Sequence, residues 1–255
     1  MSLLSKKYLN IFVSLGIVFI LMDTMPAISE DRLLKVKEFD KIIEHSLKKK
    51  ADSGNGKAAY CLSMNYEEQT KPDSKEKFMY WLHRAVELGN ADAQCHLYIV
   101  KKSDPGVNSR EIIKFLKMAA EQGHSEAQGI LGDLSYSESN IEQAEYWYRK
   151  SAMQGELSSI FDLSKLLNRT KTQKKDLIEG YAWSFVGLSI CHPKSGFAAD
   201  FKKEQEAITK KATKLGYEKA AFVKQAEIEA DKINKNIRVI WVSPSWEDCE
   251  ELGSK

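Results

Sequence analysis

The sequence is poor in proline and glycine, with 5 Pro and 14 Gly among 255 residues. β-Sandwiches, collagen-like chains and long disordered segments all need more of these turn-forming residues, so the composition argues against all three. The charge excess is also small, because 38 Lys and Arg face 36 Asp and Glu. This balance excludes the strongly basic footprint of a dedicated nucleic-acid binder. Abundant Ala, Leu, Glu and Lys instead favour an all-helical chain.

Catalytic motifs are missing as well. The sequence contains no glycine-rich phosphate loop, nucleophile elbow or paired-carboxylate motif. Its five histidines are scattered and none of its four cysteines belongs to a CxxC pair, so no zinc site is expected. His124 follows a turn glycine and is predicted to be a polar surface residue. We therefore expect no enzyme activity, no cofactor and no metal ion.

The first 29 residues have the features of a secretory signal peptide. Lys6 and Lys7 give a positively charged start, and Ile11–Met22 is an uninterrupted apolar run. This run is shorter than the roughly 20 residues that a transmembrane helix needs. Ala27 and Ser29 have the small-x-small spacing of a cleavage site. We expect cleavage near residue 28 or 30, no stable membrane span afterwards, and a periplasmic or secreted bacterial protein; the alternative is an uncleaved anchor.

Export would place the cysteines in an oxidising compartment, where disulfides form. Three full pairings of Cys61, Cys95, Cys191 and Cys249 are possible. Cys191 and Cys249 flank the C-terminal region, and a bridge between them would fix the tail, so this pair is the candidate disulfide. The alternative is that all four are small buried hydrophobic residues.

An internal repeat is the main signal in the sequence. Gly54, Gly89, Gly123 and Gly155 follow one another at intervals of 35, 34 and 32 residues. Four positions after each glycine stands a small residue, and four positions further stands a leucine. The small residues are Ala58, Ala93, Ala127 and Ser159, and the leucines are Leu62, Leu97, Leu131 and Leu163. An aromatic residue recurs at Trp81, Phe115, Trp147 and Trp183. Periods in the low to mid thirties are typical of helical solenoids.

Each recurring position has a structural role in such an array. The glycines end helical runs and suit the left-handed C′ position, which a Cβ would penalise. The small residues let two helices cross closely, and the leucines lie one turn further along the same face. The aromatic residues, Trp147 among them, are predicted to be buried between the two helices of a unit.

Parts of this repeat resemble the Sel1-like repeat family. Two segments show the resemblance. The first is Ala-Gln-Gly-Ile-Leu-Gly at 127–132, and the second is 144–155, which ends in Trp-Tyr-Arg-Lys-Ser-Ala-Met-Gln-Gly. Glu-Gly-Tyr-Ala-Trp at 179–183 resembles the variant of the last repeat. The resemblance covers about residues 41–190. It implies an all-α fold, an α-solenoid wound as a right-handed superhelix, with about four helix-pair repeats between N- and C-terminal capping helices.

The expected organisation of the chain has five parts. They are a signal peptide at 1–29, an N-terminal capping helix at 30–56, Sel1-like repeats at 57–192, a C-terminal helical cap at 193–236 and a tail at 237–255. Within the cap, residues 197–236 are predicted to be helical with an interruption at Gly216.

Positions two, six and nine residues after each small residue fall on a face that the family pattern leaves variable. Solenoids of helix pairs present such a row as a groove for another molecule. The alternative is that its apolar members are additional core. The candidate partner-binding residues are Tyr60, Met64, Glu67, Ile99, Lys102, Asp133, Tyr136, Phe161 and Lys165.

The resemblance also implies a protein-binding role. Sel1-like proteins generally act as adaptors, and small exported members occur as immunity partners of type VI secretion effectors, notably antibacterial phospholipases. We therefore expect a non-enzymatic periplasmic immunity protein, whose partner is a toxin or effector lipase and not a nucleic acid. A secreted or envelope-associated adaptor, or a host-interaction factor, is the alternative.

Overall fold

The computed structural model describes residues 30–67, 69, 72–105, 108–237, 249 and 252, with side chains from residue 41 onward. The predicted signal peptide and nearly all of the predicted tail lie outside these residues. Within them the chain forms eleven helices and no strand. The helices are α1 (Glu30–Asp52), α2 (Gly56–Glu67), α3 (Ser74–Glu87), α4 (Ala91–Lys101), α5 (Ser109–Glu121), α6 (Ser125–Ser137), α7 (Ile141–Ala152), α8 (Leu157–Thr170), α9 (Lys174–Ile190), α10 (Gly196–Lys214) and α11 (Lys219–Asn236).

The chain divides into two units, Met1–Glu44 and His45–Lys255, and helices α2 to α11 belong to the second. In that unit α2 packs with α3, α4 with α5, α6 with α7, and α8 with α9. The second helix of each pair also packs on the first helix of the next pair, and α10 and α11 pack on α9. These helices form the all-α solenoid of helix pairs that the repeat predicts.

Glycines with positive φ follow the helices at the predicted places. Gly54, Gly89, Gly123 and Gly155 have φ values of 97°, 78°, 95° and 85°. A Cβ is unfavourable in this left-handed conformation, so glycine suits the turn that ends a helix. Gly216, with a φ of 87°, separates α10 from α11 in the same way. The predicted glycine turns are confirmed, including the interruption of the C-terminal helical segment.

The recurring small residues and leucines lie in the core as predicted. Ala58, Ala93 and Ala127 have no exposed surface, and Ser159 is 1% exposed. The leucines of the four repeats are between 0% and 3% exposed. Because each helix pair buries these side chains against its neighbours, the array stabilises the fold more than any isolated pair could.

The four recurring aromatic residues differ in burial. Trp81 and Trp183 are buried, whereas Phe115 and Trp147 are half-buried. Trp147 lies at the edge of the core cluster formed by α4, α5 and α6, and its ring centroid is 4.9 Å from that of the exposed Tyr146. The prediction of a buried Trp147 is therefore wrong, because the ring covers the edge of this cluster and does not fill its interior.

The structure pairs Cys249 with Cys61. Their Cα atoms are 5.5 Å apart, and the bridge joins α2 to the C-terminal residues. Cys191 follows α9 and is a buried free thiol in the cluster around Trp183 and Phe201. The predicted Cys191–Cys249 bridge is therefore wrong, because the Cys191 side chain packs into this core.

Candidate functional site

The first helices of successive pairs contact each other through polar side chains. Between α2 and α4, the Tyr60 hydroxyl lies 3.3 Å from His96 Nδ1, and His96 Nε2 lies 3.3 Å from a carboxylate oxygen of Glu67. Between α4 and the start of α6, His124 Nε2 lies 3.4 Å from Asp92 Oδ1. We call the outward side of α2, α4, α6 and α8 the A-helix row. Its acidic and aromatic members are Glu67, Asp92, Glu126, Asp133, Tyr136 and Asp162.

The predicted partner-binding residues differ in how accessible they are. Four of them are exposed: Glu67, Lys102, Asp133 and Tyr136. Four more are half-buried: Met64, Ile99, Phe161 and Lys165. Ile99 and Phe161 pack against core clusters, as the alternative interpretation of their spacing expected. That these residues bind a partner stays a prediction.

Tyr60 is a core residue. Its side chain is 6% exposed because His96 of the next helix pair packs against the ring, with ring centroids 5.9 Å apart. Burial, followed by the charges of Asp92 and Glu67, raises the pKa of the Tyr60 hydroxyl well above its ordinary value. The prediction that Tyr60 faces an open groove is therefore wrong.

Carboxylates dominate the A-helix row. The Tyr148 hydroxyl donates a hydrogen bond to Asp133 Oδ1 at 2.8 Å. Burial, together with the charge of Asp133, raises the pKa of the Asp162 carboxyl. In the part of the chain that the structure describes, no Lys or Arg forms an ion pair with Asp92, Glu126 or Asp133. Asp162, by contrast, pairs with Lys165 at 3.7 Å. The uncompensated negative charge of the row therefore lies at Asp92, Glu126 and Asp133.

Cys95, His124 and Glu126 come together where α4 meets the start of α6. A sulfur, a ring nitrogen and a carboxylate oxygen of these residues all lie within 4.8 Å of one another. Cys95 and His124 are buried, whereas Glu126 is exposed. His124 caps α6, because its Nδ1 accepts a hydrogen bond from the Ala127 N–H at 3.2 Å. The prediction that His124 is a surface residue is therefore wrong. That the chain binds no metal ion stays a prediction.

Cys95 is 29 residues from His124 in the sequence, so a search for closely spaced ligands does not find this cluster. Alignment of the repeats does. Cys95 stands two residues after the small residue of the second repeat. His124 and Glu126 stand three residues and one residue before the small residue of the third repeat. Because the first helices of successive repeats are neighbours in a solenoid, donors near the starts of these helices can meet in space. Comparison of the repeats in register is the signal that could have found the cluster.

The second helices carry an ion network. Arg149 pairs with Glu145 at 2.9 Å and also with Glu179, and Lys171 pairs with Glu145 at 3.2 Å. The Trp183 Nε1–H donates to Glu179 at 3.3 Å. A pocket of about 250 Å³ lies beside the network, between α7, α9 and α11. Because positive and negative groups compensate each other here, we assign the network to holding α7 against α9.

The described helices define an α-solenoid built from helix pairs, and this architecture is consistent with a Sel1-like repeat protein. None of them combines the length and the apolar character needed to cross a membrane.

The chain is similar to known proteins at the level of solved structures. Neither a protein-family model nor a curated protein matches the chain. Among solved structures, the chain is similar to a protective antigen present in uropathogenic Escherichia coli strains, which displays an SLR (Sel1-like repeat) fold. The identity is 20%, the TM-score is 0.44, and the match covers 81% of this chain and 50% of the antigen structure. The matched region thus spans half the length of that protein.

Proposed function

We propose that this chain is a non-enzymatic scaffold that binds another protein through the A-helix row. The observation that carries the proposal is the group of carboxylates at Asp92, Glu126 and Asp133, which no Lys or Arg of the described residues compensates. Complementary charge speeds encounter and selects partners. The row therefore suits a partner with a basic surface.

An exposed aromatic residue supports the same surface. Tyr136 lies on α6 and is 39% exposed. Tyrosine is enriched among residues that dominate binding energy, because it offers a large contact area and loses little conformational freedom. Stacked helix pairs also present extended surfaces, which repeat proteins commonly use to bind other proteins.

We further propose that the partner is an antibacterial effector of the phospholipase type, delivered by a type VI secretion system, and that this chain is the immunity protein against it. The support is the resemblance to Sel1-like proteins and the apolar segment Ile11–Met22, which favours export. The Cys61–Cys249 bridge fits an oxidising compartment, such as the one where the effector would meet its lipid substrate.

Bacterial survival tests the immunity role. Exported phospholipase effectors of the source organism are produced one at a time in the periplasm of a sensitive strain, with the full chain or with an empty vector. We expect the full chain to restore growth against one effector, and the purified chain to inhibit lipid hydrolysis by that effector. A variant without residues 1–29 is the control, because it would stay in the cytoplasm and give no protection. Failure to protect against any of these effectors contradicts the immunity role and favours an envelope-associated adaptor.

Mass spectrometry of the protein from the cell envelope tests export. We expect a mature N-terminus near Ile28 or Glu30. A chain that retains Met1 in that fraction contradicts cleavage of a signal peptide.

A further inference from the structure

Three kinds of metal-binding donor meet where α4 contacts the start of α6. The Cys95 sulfur, a His124 ring nitrogen and a Glu126 carboxylate oxygen lie within 4.8 Å of one another. Ligand atoms of a tetrahedral zinc ion lie roughly 3.3–3.8 Å apart, given metal–ligand distances of about 2.0–2.3 Å. Movements of about 1 Å would bring the three donors to those separations. Glu126 is exposed and can rotate toward the two buried donors.

The charges around these donors favour a cation. Asp92 Oδ1 lies 3.4 Å from His124 Nε2, so a second carboxylate adjoins the group. Within the described ranges, neither Asp92 nor Glu126 has an ion pair with a Lys or an Arg. Two carboxylates beside a thiol and an imidazole, with no side-chain cation to balance them, produce a local negative potential.

We propose that Cys95, His124 and Glu126 bind a zinc ion that joins the second helix pair to the third. Zinc accepts sulfur, nitrogen and oxygen ligands in one site, whereas magnesium and calcium favour oxygen ligands alone. Three protein ligands leave a fourth position, which a water molecule fills on the exposed side near Glu126. Zinc binds the thiolate, so the proton of the Cys95 thiol passes to solvent when the ion binds.

Asp92 has a positioning role in this site. His124 Nδ1 accepts the Ala127 N–H while Nε2 faces the Asp92 carboxylate, which assigns the ring proton to Nε2. When Nδ1 binds zinc, this tautomer needs no change and Nε2–H continues to donate to Asp92. Carboxylates commonly orient metal-binding histidines in this way. The zinc ion then replaces the Ala127 N–H as the partner of Nδ1.

Titration of the full chain with zinc, in competition with a chromophoric chelator, tests the site. The protein is stripped with EDTA without reductant, so that the Cys61–Cys249 bridge persists. We expect one zinc ion per chain and, with cobalt(II) in place of zinc, an absorption band from thiolate-to-cobalt charge transfer. Cys95→Ala should abolish the band. Cys95→Ala and His124→Asn should each weaken zinc binding by roughly tenfold or more, and Asp92→Asn by roughly tenfold.

The chain offers a matched control for these variants. Cys191 is the other buried free thiol, and His192 is an exposed histidine beside it. The double variant Cys191→Ala/His192→Ala should therefore keep the stoichiometry, the affinity and the cobalt band. Asparagine at position 124 should keep the cap of α6, because Asn90 caps α4 in the same way. If Cys95→Ala fails to fold, the His124→Asn variant therefore decides whether the zinc site exists.

Two results would overturn the zinc site. One is a wild-type chain that binds no zinc. The other is His124→Asn protein that folds, as circular dichroism would show, and binds zinc as tightly as the wild type. Neither result bears on protein binding by the A-helix row, because the titration contains this chain alone.

Discussion

At Gly132 the lack of a side chain sets how closely α6 and α7 approach. A Cβ at this position would lie 2.5 Å from Cδ1 and Cε1 of Tyr148, well inside van der Waals contact. Tyr148 is 4% exposed and its hydroxyl donates to Asp133, so the ring has little room to move away. Gly132 is therefore a packing residue of the third repeat.

Gly132→Ala should lower the free energy of unfolding by about 1–3 kcal/mol, the usual range when extra atoms are forced into a packed core. Urea denaturation followed by circular dichroism measures the change. Gly196→Ala is the control, because a Cβ there has no neighbour within 4 Å and the backbone φ is not positive. Equal stability of the two variants would show that Tyr148 moves aside without cost.

Burial of single residues could be predicted where the residue type repeats, and not elsewhere. Ala127 and Leu131 occupy positions that recur in every repeat, and both are buried as expected. The spacing predicts that Tyr60 lines a groove, but His96 packs against its ring. The residue type at this position changes from repeat to repeat. Contacts between variable positions of neighbouring repeats depend on side-chain packing that periodicity does not describe.

Helices α2, α4 and α6 begin in the same way, with a side chain that caps the first turn. Asn55, Asn90 and His124 each accept a hydrogen bond from the backbone N–H three residues later, at 3.0, 2.8 and 3.2 Å. The corresponding residue of α8 is Glu156, whose backbone is extended in the same way but whose side chain makes no cap. The fourth repeat therefore lacks a hydrogen bond that the first three have.

Glu156→Asn should raise the free energy of unfolding by up to about 1 kcal/mol, because asparagine is among the best N-cap residues. Asn90→Ala is the opposite test and should lower the free energy of unfolding by about 1 kcal/mol. Thermal unfolding of both variants beside the wild type gives the comparison. An unchanged or lower melting temperature for Glu156→Asn would mean that the existing turn cannot accept the new cap.

The ion network between α7 and α9 predicts a pH effect. Burial by itself would raise the pKa of Glu145, but hydrogen bonds from Arg149 and Lys171 outweigh it and lower the pKa below its ordinary value of 4.5. A carboxylate with a lowered pKa stabilises the fold above its unfolded pKa, and this stabilisation is lost as the pH falls through the folded pKa. Glu145→Gln should therefore reduce the loss of stability on acidification below about pH 5.

Denaturation midpoints measured across this acidic range check the prediction. Glu142→Gln is the matched control on the same helix, since Glu142 is exposed and has no ion pair within the described part of the chain. The control should keep the acid dependence of the wild type. Identical acid dependence in the Glu145→Gln variant would contradict a contribution from the network.

The Cys61–Cys249 bridge closes a large part of the molecule into one loop, because it joins residues 188 positions apart. Within the same unit, the Lys50 ammonium also donates to the Leu252 carbonyl, so Leu252 lies beside Lys50. The repeats of a solenoid contact mainly their neighbours, and the first and last repeats are not normally connected. The bridge adds a connection between the beginning and the end of this array.

Cys249→Ala should lower the free energy of unfolding by about 2–4 kcal/mol, the typical contribution of a disulfide. Denaturation with and without a thiol reductant measures the effect. Reductant should destabilise the wild type and leave the Cys249→Ala variant unchanged. A variant as stable as the oxidised wild type would show that the bridge does not constrain the array.

The order of the helix pairs could be predicted from the sequence, whereas the bridge could not, and the donor cluster becomes visible only when the repeats are compared in register. Glycine, a small residue and leucine recur at fixed intervals, and each type has one structural role. The turns at Gly89 and Gly123 can therefore be predicted before the fold is known. The partner of Cys249 depends on which helix lies next to it in space, whereas Cys191 is predicted as the partner because it flanks the C-terminal region together with Cys249. The Cys95–His124–Glu126 cluster likewise depends on contacts between repeats.

The affinities of two tyrosine variants test protein binding by the A-helix row most directly. Tyr136 lies on α6, within the A-helix row, and is 39% exposed. Tyr80 is the control, because it is 61% exposed but lies on α3, the second helix of the first pair, outside the row. Isothermal titration calorimetry measures the binding of each variant to the effector against which the chain protects. We expect Tyr136→Ala to weaken binding by about 2 kcal/mol, roughly thirtyfold in Kd, with an unchanged melting temperature. Tyr80→Ala should bind as the wild type does. Weakened binding by Tyr80→Ala together with unchanged binding by Tyr136→Ala would contradict the assignment of the partner to the A-helix row.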